Sequence, residues 1–303
     1  MAKMRGMARP DLSVLIAAHR LRLEVPAAVA SVLGRAAGVA VEVVIASDDG
    51  TDYADVLPDD PRLSFAPVGP VASGAHAARN RALILAGGTH VLMLDGDDTL
   101  EGPADAIARA LAAMDGAGAV LVPTVVRGVS GQAVRRIPAE GGRRFGFAGW
   151  ASAFASLHLI ARRDLARPYR PFRLIDDVMF DLAVLAAAGG DVPVADGLAY
   201  CYRLRPGQAT DTEGGRFDAE YAQALGLIAA DGAGFGHHAA DAAQVLRRWR
   251  AMNRLVGGGG SRPGLGDYHR AVAAYLAGEW PAGRRPRADA QGMPAEGATA
   301  PEV

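Results

Sequence analysis

Three carboxylates stand within four residues at Asp95-Gly96-Asp97-Asp98, directly after the apolar run His90-Val91-Leu92-Met93-Leu94. Acids this close repel one another unless a cation or hydrogen-bond donors hold them. Hard divalent cations such as Mg2+ or Mn2+ take oxygen ligands, often a carboxylate together with substrate phosphates. Gly96 lets such a turn bring backbone and acids close to a ligand. A solvated acidic turn, with Thr99 opening the next helix, is the plainer reading of the same residues.

A second apolar run also ends in acids: Val43-Val44-Ile45-Ala46-Ser47-Asp48-Asp49-Gly50-Thr51-Asp52. A strand-end carboxylate can accept a hydrogen bond from the imide N–H of a uracil or the amide and amine of a guanine. An Asp-Gly turn is the alternative. A third element, Ser73-Gly74-Ala75-His76-Ala77-Ala78-Arg79-Asn80-Arg81, precedes the Asp95 cluster by one helix. Arg79 there either contacts a phosphate or fixes the acidic loops by bidentate pairing. A helix start capped by Ser73, with Arg79 and Arg81 solvated, is the structural alternative. His76 alone reads as a helix-surface residue.

These residues need a scaffold, and the chain supplies one. Leu12–Ala17, Val41–Ala46 and His90–Leu94 are continuous apolar runs, as in strands buried on both faces. Arg62–Pro67 and Ala119–Val126 are predicted as further strands. Val25–Ala37, Ala75–Ala86 and Pro103–Met114 carry helical spacing. The β-α-β-α order predicts an α/β fold with a mostly parallel sheet covered by helices. In open sheets of this kind ligands bind outside the carboxyl ends of the strands, so both acidic clusters project onto one rim. Beyond residue 126 the pattern changes. Arg127–Gly149 reads as a loop or hairpin, Leu157–Ile160 as a short apolar segment, Asp176–Ala188 as a helix, 198–205 as a strand, and 217–255 as helical. Residues from 281 onward have the composition of a disordered tail.

Composition narrows the function classes. The 303 residues are half apolar and carry a net charge of -1, so no global basic field gathers nucleic acid or an anionic membrane. Any phosphate must be met by local groups. The single cysteine, Cys201, reads as a packed strand residue and excludes an intramolecular disulfide. No apolar stretch approaches the ~20 residues of a spanning helix. A soluble, cytoplasmic protein is expected, with peripheral membrane contact left open.

Taken together, the blocks resemble the inverting, GT-A-fold glycosyltransferases of family 2. The opening strand, Ser13-Val14-Leu15-Ile16-Ala17-Ala18-His19-Arg20, is similar to that family's S-V-I-I-P-x-Y-N. Asp48-Asp49-Gly50-Thr51-Asp52 stands, one residue shorter, for D-D-G-S-x-D. Gly74-Ala75-His76-Ala77-Ala78-Arg79-Asn80-Arg81-Ala82 matches G-x-x-x-A-R-N-x-x, and Leu94-Asp95-Gly96-Asp97-Asp98 matches L-D-x-D-D. The four blocks keep their order over residues 12–100.

The resemblance implies a nucleotide-diphosphate sugar as donor, with a UDP-sugar favoured, and a carbohydrate, lipid or protein acceptor. The nucleotide would lie across Ala17, His19, Arg20, Ser47, Asp48, Asp49 and Arg79, with Asp95 facing the ribose. Asp97 and Asp98 would hold Mn2+ or Mg2+ on the diphosphate. An inverting transfer needs a carboxylate to take the acceptor's proton. The family's E-D pair at a helix start corresponds to Asp176-Asp177, with Asp177 as base; Asp181 ranks below Asp176 as a substitute. Two acids that cap a helix are the ordinary alternative. Tyr200-Cys201-Tyr202-Arg203-Leu204-Arg205-Pro206-Gly207-Gln208 is similar to the family's Y-R-x-H-x-x-S, but Arg205 replaces the His and Gln208 the Ser. An arginine cannot ligate a divalent ion; it can hold a diphosphate as a cation.

The expected organisation is a catalytic domain over 10–212, divided near 126 into a nucleotide-binding and an acceptor half. A helical extension over 213–280 and the tail follow. The Arg127–Trp150 segment is a candidate acceptor wall, with Trp150 either stacking on a sugar or packed in the core. Two other readings stay open. An inactive sugar-nucleotide-binding or scaffold protein is compatible with the Arg205 departure. A sugar-nucleotide nucleotidyltransferase is disfavoured, because Ala17-Ala18-His19-Arg20-Leu21 stands where a Gly-rich basic loop would follow the first strand.

Overall fold

The computed structural model describes residues 9–139, 141–206, 208, 214–257 and 265–279. The predicted tail from 281 lies outside the described residues. The first half alternates strand and helix as β1 (Leu12–Ala18), α1 (Val25–Leu33), β2 (Val41–Ser47), β3 (Leu63–Phe65), α2 (Ala75–Leu85), β4 (His90–Asp95), β5 (Thr99–Glu101), α3 (Ala106–Ala112) and β6 (Ala119–Val122). The second half continues with β7 (Thr124–Arg127), β8 (Ala133–Ile137), β9 (Arg144–Gly146), α4 (Phe147–Ala153), β10 (His158–Arg162), α5 (Asp176–Ala187), β11 (Asp191–Pro193) and β12 (Ala199–Arg203). It ends in α6 (Phe217–Asp231), α7 (Ala239–Gly257) and α8 (Leu265–Leu276).

Six strands form the main sheet in the order β3-β2-β1-β4-β10-β6. β3, β2, β1 and β4 are parallel, while β10 runs antiparallel to both β4 and β6. This is the predicted α/β class. Side chains of β1 alternate between the two faces, as the strand period requires. Leu12, Val14 and Ile16 join Val25, Val29 and Ile107 of α1 and α3. Leu15 faces the other way with Val44, Val91 and the small face of α2, Ala78 and Ala82. Both faces are covered, which is why these strands read as unbroken apolar runs.

Three segments differ from the sequence reading. The single strand expected at 119–126 is two strands, split at Pro123. β6 lies in the main sheet and β7 in a four-stranded sheet of order β5-β12-β7-β8. Proline has no N–H to give a ladder, so a change of sheet falls there naturally. The stretch expected as a loop or hairpin, 127–149, holds the second strand of the β7-β8 hairpin and, beyond that expectation, β9 and the start of α4. The helix expected from Pro103 begins at Ala106.

α6 and α7 pack on the second half through a core that includes Trp150, Leu185, Tyr221, Leu246 and Trp249. Trp249 Nε1 donates to the Trp150 carbonyl at 2.9 Å. Trp150 itself is fully buried, so the sugar-stacking role considered for it is corrected: α4 turns the indole into the core. Among the described residues no helix is long and apolar enough to cross a membrane.

Candidate functional site

Register places the candidate residues side by side. Ala18 pairs with Ser47 across β1 and β2, and Ala17 pairs with Asp95 across β1 and β4. The carboxyl ends of the three central strands are therefore level, and His19, Arg20, Asp48, Asp49 and Asp95 emerge on one rim.

Most carboxylates there are held by the protein's own donors. Asp49 accepts the Ser47 hydroxyl at 3.0 Å, the Thr51 amide at 2.9 Å and the Tyr53 hydroxyl at 3.1 Å. It also accepts the Arg20 amide, and Arg20 sits at φ 58. Burial alone would raise the Asp49 pKa, but these donors hold it below the usual carboxylate range. Tyr53 also accepts from the Leu21 amide at 3.1 Å, fastening the β1 and β2 loops together. Nothing in the local sequence marked Tyr53, because one of its two partners, Leu21, comes from a different strand end.

Asp48 is almost fully buried. It accepts the Ser73 hydroxyl at 2.6 Å and the Gly74 amide at 3.0 Å, with His19 Nδ1 3.7 Å away. Its carboxylate thus anchors the segment entering α2. Ser73 does not cap that helix; Gly74, at φ 96, stands at the N-cap without a side-chain hydrogen bond.

Arg79, Asn80 and Arg81 each tether a different segment. Arg79 donates to Asp95 Oδ1 at 2.6 Å and to Asp176 Oδ2 at 2.5 Å, and its guanidinium lies 5.7 Å from the centre of the Tyr169 ring. Asn80 donates to the Tyr169 carbonyl at 2.9 Å and accepts its amide at 2.7 Å. Arg81 donates to the Ser47 carbonyl at 2.7 Å and to Ser73 Oγ at 3.3 Å. Of the alternatives for Arg79, the structure has the one in which it fixes the acidic loops.

At the start of α5 the two acids differ. Asp176 is committed to Arg79, and burial raises its pKa to about 7 against the opposing pull of Arg79. Asp177 keeps 8% of its surface where Asp176 keeps 2%, and it accepts the Val178 amide at 2.8 Å. Among the described residues Asp177 has no ion pair. Asp181, one turn on, is buried against β10 and accepts the Leu159 amide at 3.1 Å. An open cleft of ≈ 750 Å³ runs between the start of α2, at Ser73, Gly74 and His76, and the approach to α5, at Phe172 and Arg173.

The Asp95–Asp98 turn is held from the side of β12. Tyr200 accepts the Asp95 amide at 3.0 Å, and Asp98, which is 1% exposed, accepts the Arg203 amide at 2.8 Å. Burial, then the charges of Asp97 and Asp95, raise the Asp98 pKa well above its ordinary value. Asp97 accepts Arg205 Nε at 2.6 Å. A Cβ on Gly96 would stand 3.0 Å from Leu21 Cδ1 and 3.2 Å from Val25 Cγ2, so the glycine serves packing of the turn onto the β1 loop and α1. Among the described residues no three His, Cys, Asp or Glu side chains gather closely enough to hold a metal ion. Asp97 and Asp98, the pair expected for Mn2+ or Mg2+, are each engaged by a donor of the protein itself. Asp98 is buried and takes the Arg203 amide, and Asp97 already carries a guanidinium, a cation where the second ligand was expected. The residues present do not fit the expected ion.

No protein-family model matches the chain, and no curated protein sequence does. Solved structures resemble it. S. aureus TarS 1–349 in complex with UDP-GlcNAc aligns with a TM-score of 0.60 at 16% identity, over 89% of this chain and 92% of that one. A longer TarS structure aligns with a TM-score of 0.56 at 18% identity, over 83% of this chain and 44% of that one. The mannosyltransferase PcManGT from Pyrobaculum calidifontis, solved with GDP-Man and Mn2+, aligns with a TM-score of 0.49 at 16% identity, over 89% and 79%. The TarS alignments show that this chain has a GT-A-like glycosyltransferase fold.

Proposed function

We propose that this protein transfers a sugar from a nucleoside-diphosphate donor to an acceptor hydroxyl, with inversion at the anomeric carbon. The observation that carries the reading is the Arg79 bridge. One buried guanidinium ties Asp95, at the end of the central strand β4, to Asp176, at the start of α5. It thereby fixes the donor-side rim against the acid pair of α5, of which Asp177 forms no ion pair among the described residues.

The nucleotide would lie over Ala17–Arg20 and Ser47–Asp49, beside Asp95. A UDP-sugar is the favoured donor, since the TarS fragment of the same fold was solved with UDP-GlcNAc. Asp177 would accept the proton of the acceptor hydroxyl as its oxygen attacks the anomeric carbon and the bond to the diphosphate breaks. A general base of this kind contributes on the order of 10²–10⁴ in rate. Asp176 would serve chiefly by holding Arg79, and Asp181 by holding β10, which makes Asp177 the first choice of base.

The test is turnover of UDP-, GDP- and TDP-sugars with a panel of carbohydrate and lipid hydroxyls, with the product anomer read by NMR. An α-linked donor giving a β-linked product supports the proposal; retention of configuration in the product rejects inversion.

A further inference from the structure

We propose that Arg205 supplies the positive charge that neutralises the donor's diphosphate, so that nucleotide binding to this protein needs no divalent cation. The inference rests on the proposed donor site and deepens it.

The guanidinium is anchored at one end and open at the other. Its Nε is committed to Asp97 Oδ2 at 2.6 Å. The two terminal NH2 groups have no protein partner among the described residues, and the side chain is 37% exposed. Four N–H donors in a rigid plane are thus left for a ligand, in the geometry that suits two phosphate oxygens at once.

The anchoring is itself built. Gln208 Oε1 accepts the Arg205 amide at 3.1 Å, and Gln208 Nε2 donates to the Arg203 carbonyl at 3.0 Å. The Arg203 amide in turn donates to Asp98 at 2.8 Å. Asp97 and Asp98 therefore each hold one end of the 203–205 backbone and side-chain bracket, and Gln208 closes it. The two positions that depart from the resembled pattern, Arg205 and Gln208, belong to one device. Its effect is to fix a permanent cation on the acidic turn, where a divalent ion would otherwise be needed to draw in a diphosphate.

The chemistry balances without a metal. The acceptor oxygen forms its bond to the anomeric carbon while the bond to the diphosphate oxygen breaks, and that oxygen keeps the electron pair. The acceptor proton passes to Asp177. Arg205 keeps all its protons and stabilises the departing anion by hydrogen bonds and charge.

The experiment is calorimetric titration of the purified full chain with UDP, GDP, CDP and TDP, once in EDTA and once with Mn2+. The inference predicts that the best-bound nucleotide has the same affinity in both buffers within about twofold. Arg205→Ala should weaken it roughly 10- to 100-fold, the range for losing charge-assisted hydrogen bonds, and Arg205→Lys should recover part of the loss. Arg205→His should introduce an Mn2+-dependent gain that the parent lacks. Thermal melting without ligand verifies that each variant is folded. Binding that appears only with Mn2+ overturns the inference and leaves the donor site standing, as does undiminished binding by a folded Arg205→Ala. If no nucleoside diphosphate binds in either buffer, the donor site itself is refuted and the inference with it.

Discussion

Arg79 donates to Asp176 across 97 positions of sequence, at 2.5 Å, with both side chains almost fully buried. The same guanidinium reaches Asp95, so α2, β4 and α5 meet at one charge. Removing one partner of a buried pair leaves the others uncompensated, which typically costs about 3–5 kcal/mol. Arg79→Ala should destabilise the protein by that order in urea unfolding. Adding Asp176→Asn to it should restore part of the loss, because one orphaned charge is then gone. A loss below about 1 kcal/mol for Arg79→Ala would show that the bridge does not organise the site.

The acids that burial raises should make stability fall with rising pH. Asp176 is raised to about 7, and Asp98 is raised well above its ordinary value. Between about pH 4 and 7 the folded state holds the Asp176 proton while the unfolded chain has released it. The stabilisation is therefore complete below pH 4 and lost through 7. Melting temperature should drop by several degrees from pH 5 to pH 8, and Asp176→Asn should flatten the slope. An unchanged slope in that variant would place the titration elsewhere.

Asp48 gives a sharper choice. Its two oxygens already serve Ser73 and Gly74, so its part is to hold the entry to α2. Asp48→Ala should cost about 1–3 kcal/mol, the desolvation penalty of donors left unpaired. It should weaken UDP, GDP, CDP and TDP together. A selective change in the ranking of the four nucleotides would instead restore the base-reading role that its strand-end position suggests.

Much of this architecture was legible in the sequence for a physical reason. Strands buried on both faces, such as Leu12–Ala18 and Val41–Ser47, are largely apolar, with the buried Ser13 and Glu42 bonded to each other at 2.6 Å, and the acids that follow them mark the rim. What stayed hidden were the elements whose signals are mixed. β8 carries Arg135 and Arg136 in its middle, and β10 enters the main sheet antiparallel between strands distant in sequence. Pro123 redirects the chain from one sheet to another within a single apolar run. In the site, the acids announced themselves, but their partners did not. A guanidinium carries no mark of which carboxylate it will meet, so the Arg79–Asp176 and Arg205–Asp97 pairs become visible only once the chain is folded. Trp150 shows the converse: a side chain suited to a sugar face is spent on the core.

The account stands or falls on Asp177. Asparagine keeps its size and can still accept the Val178 amide while removing the basic carboxylate. The decisive measurement is release of nucleoside diphosphate from the best-bound nucleotide sugar, by the parent and by Asp177→Asn, beside the affinity of each for the donor. Hydrolysis by water serves until an acceptor is known. The account predicts that affinity holds within about threefold while the rate falls on the order of 10²–10⁴-fold. A variant that binds and turns over the donor as the parent does would contradict it.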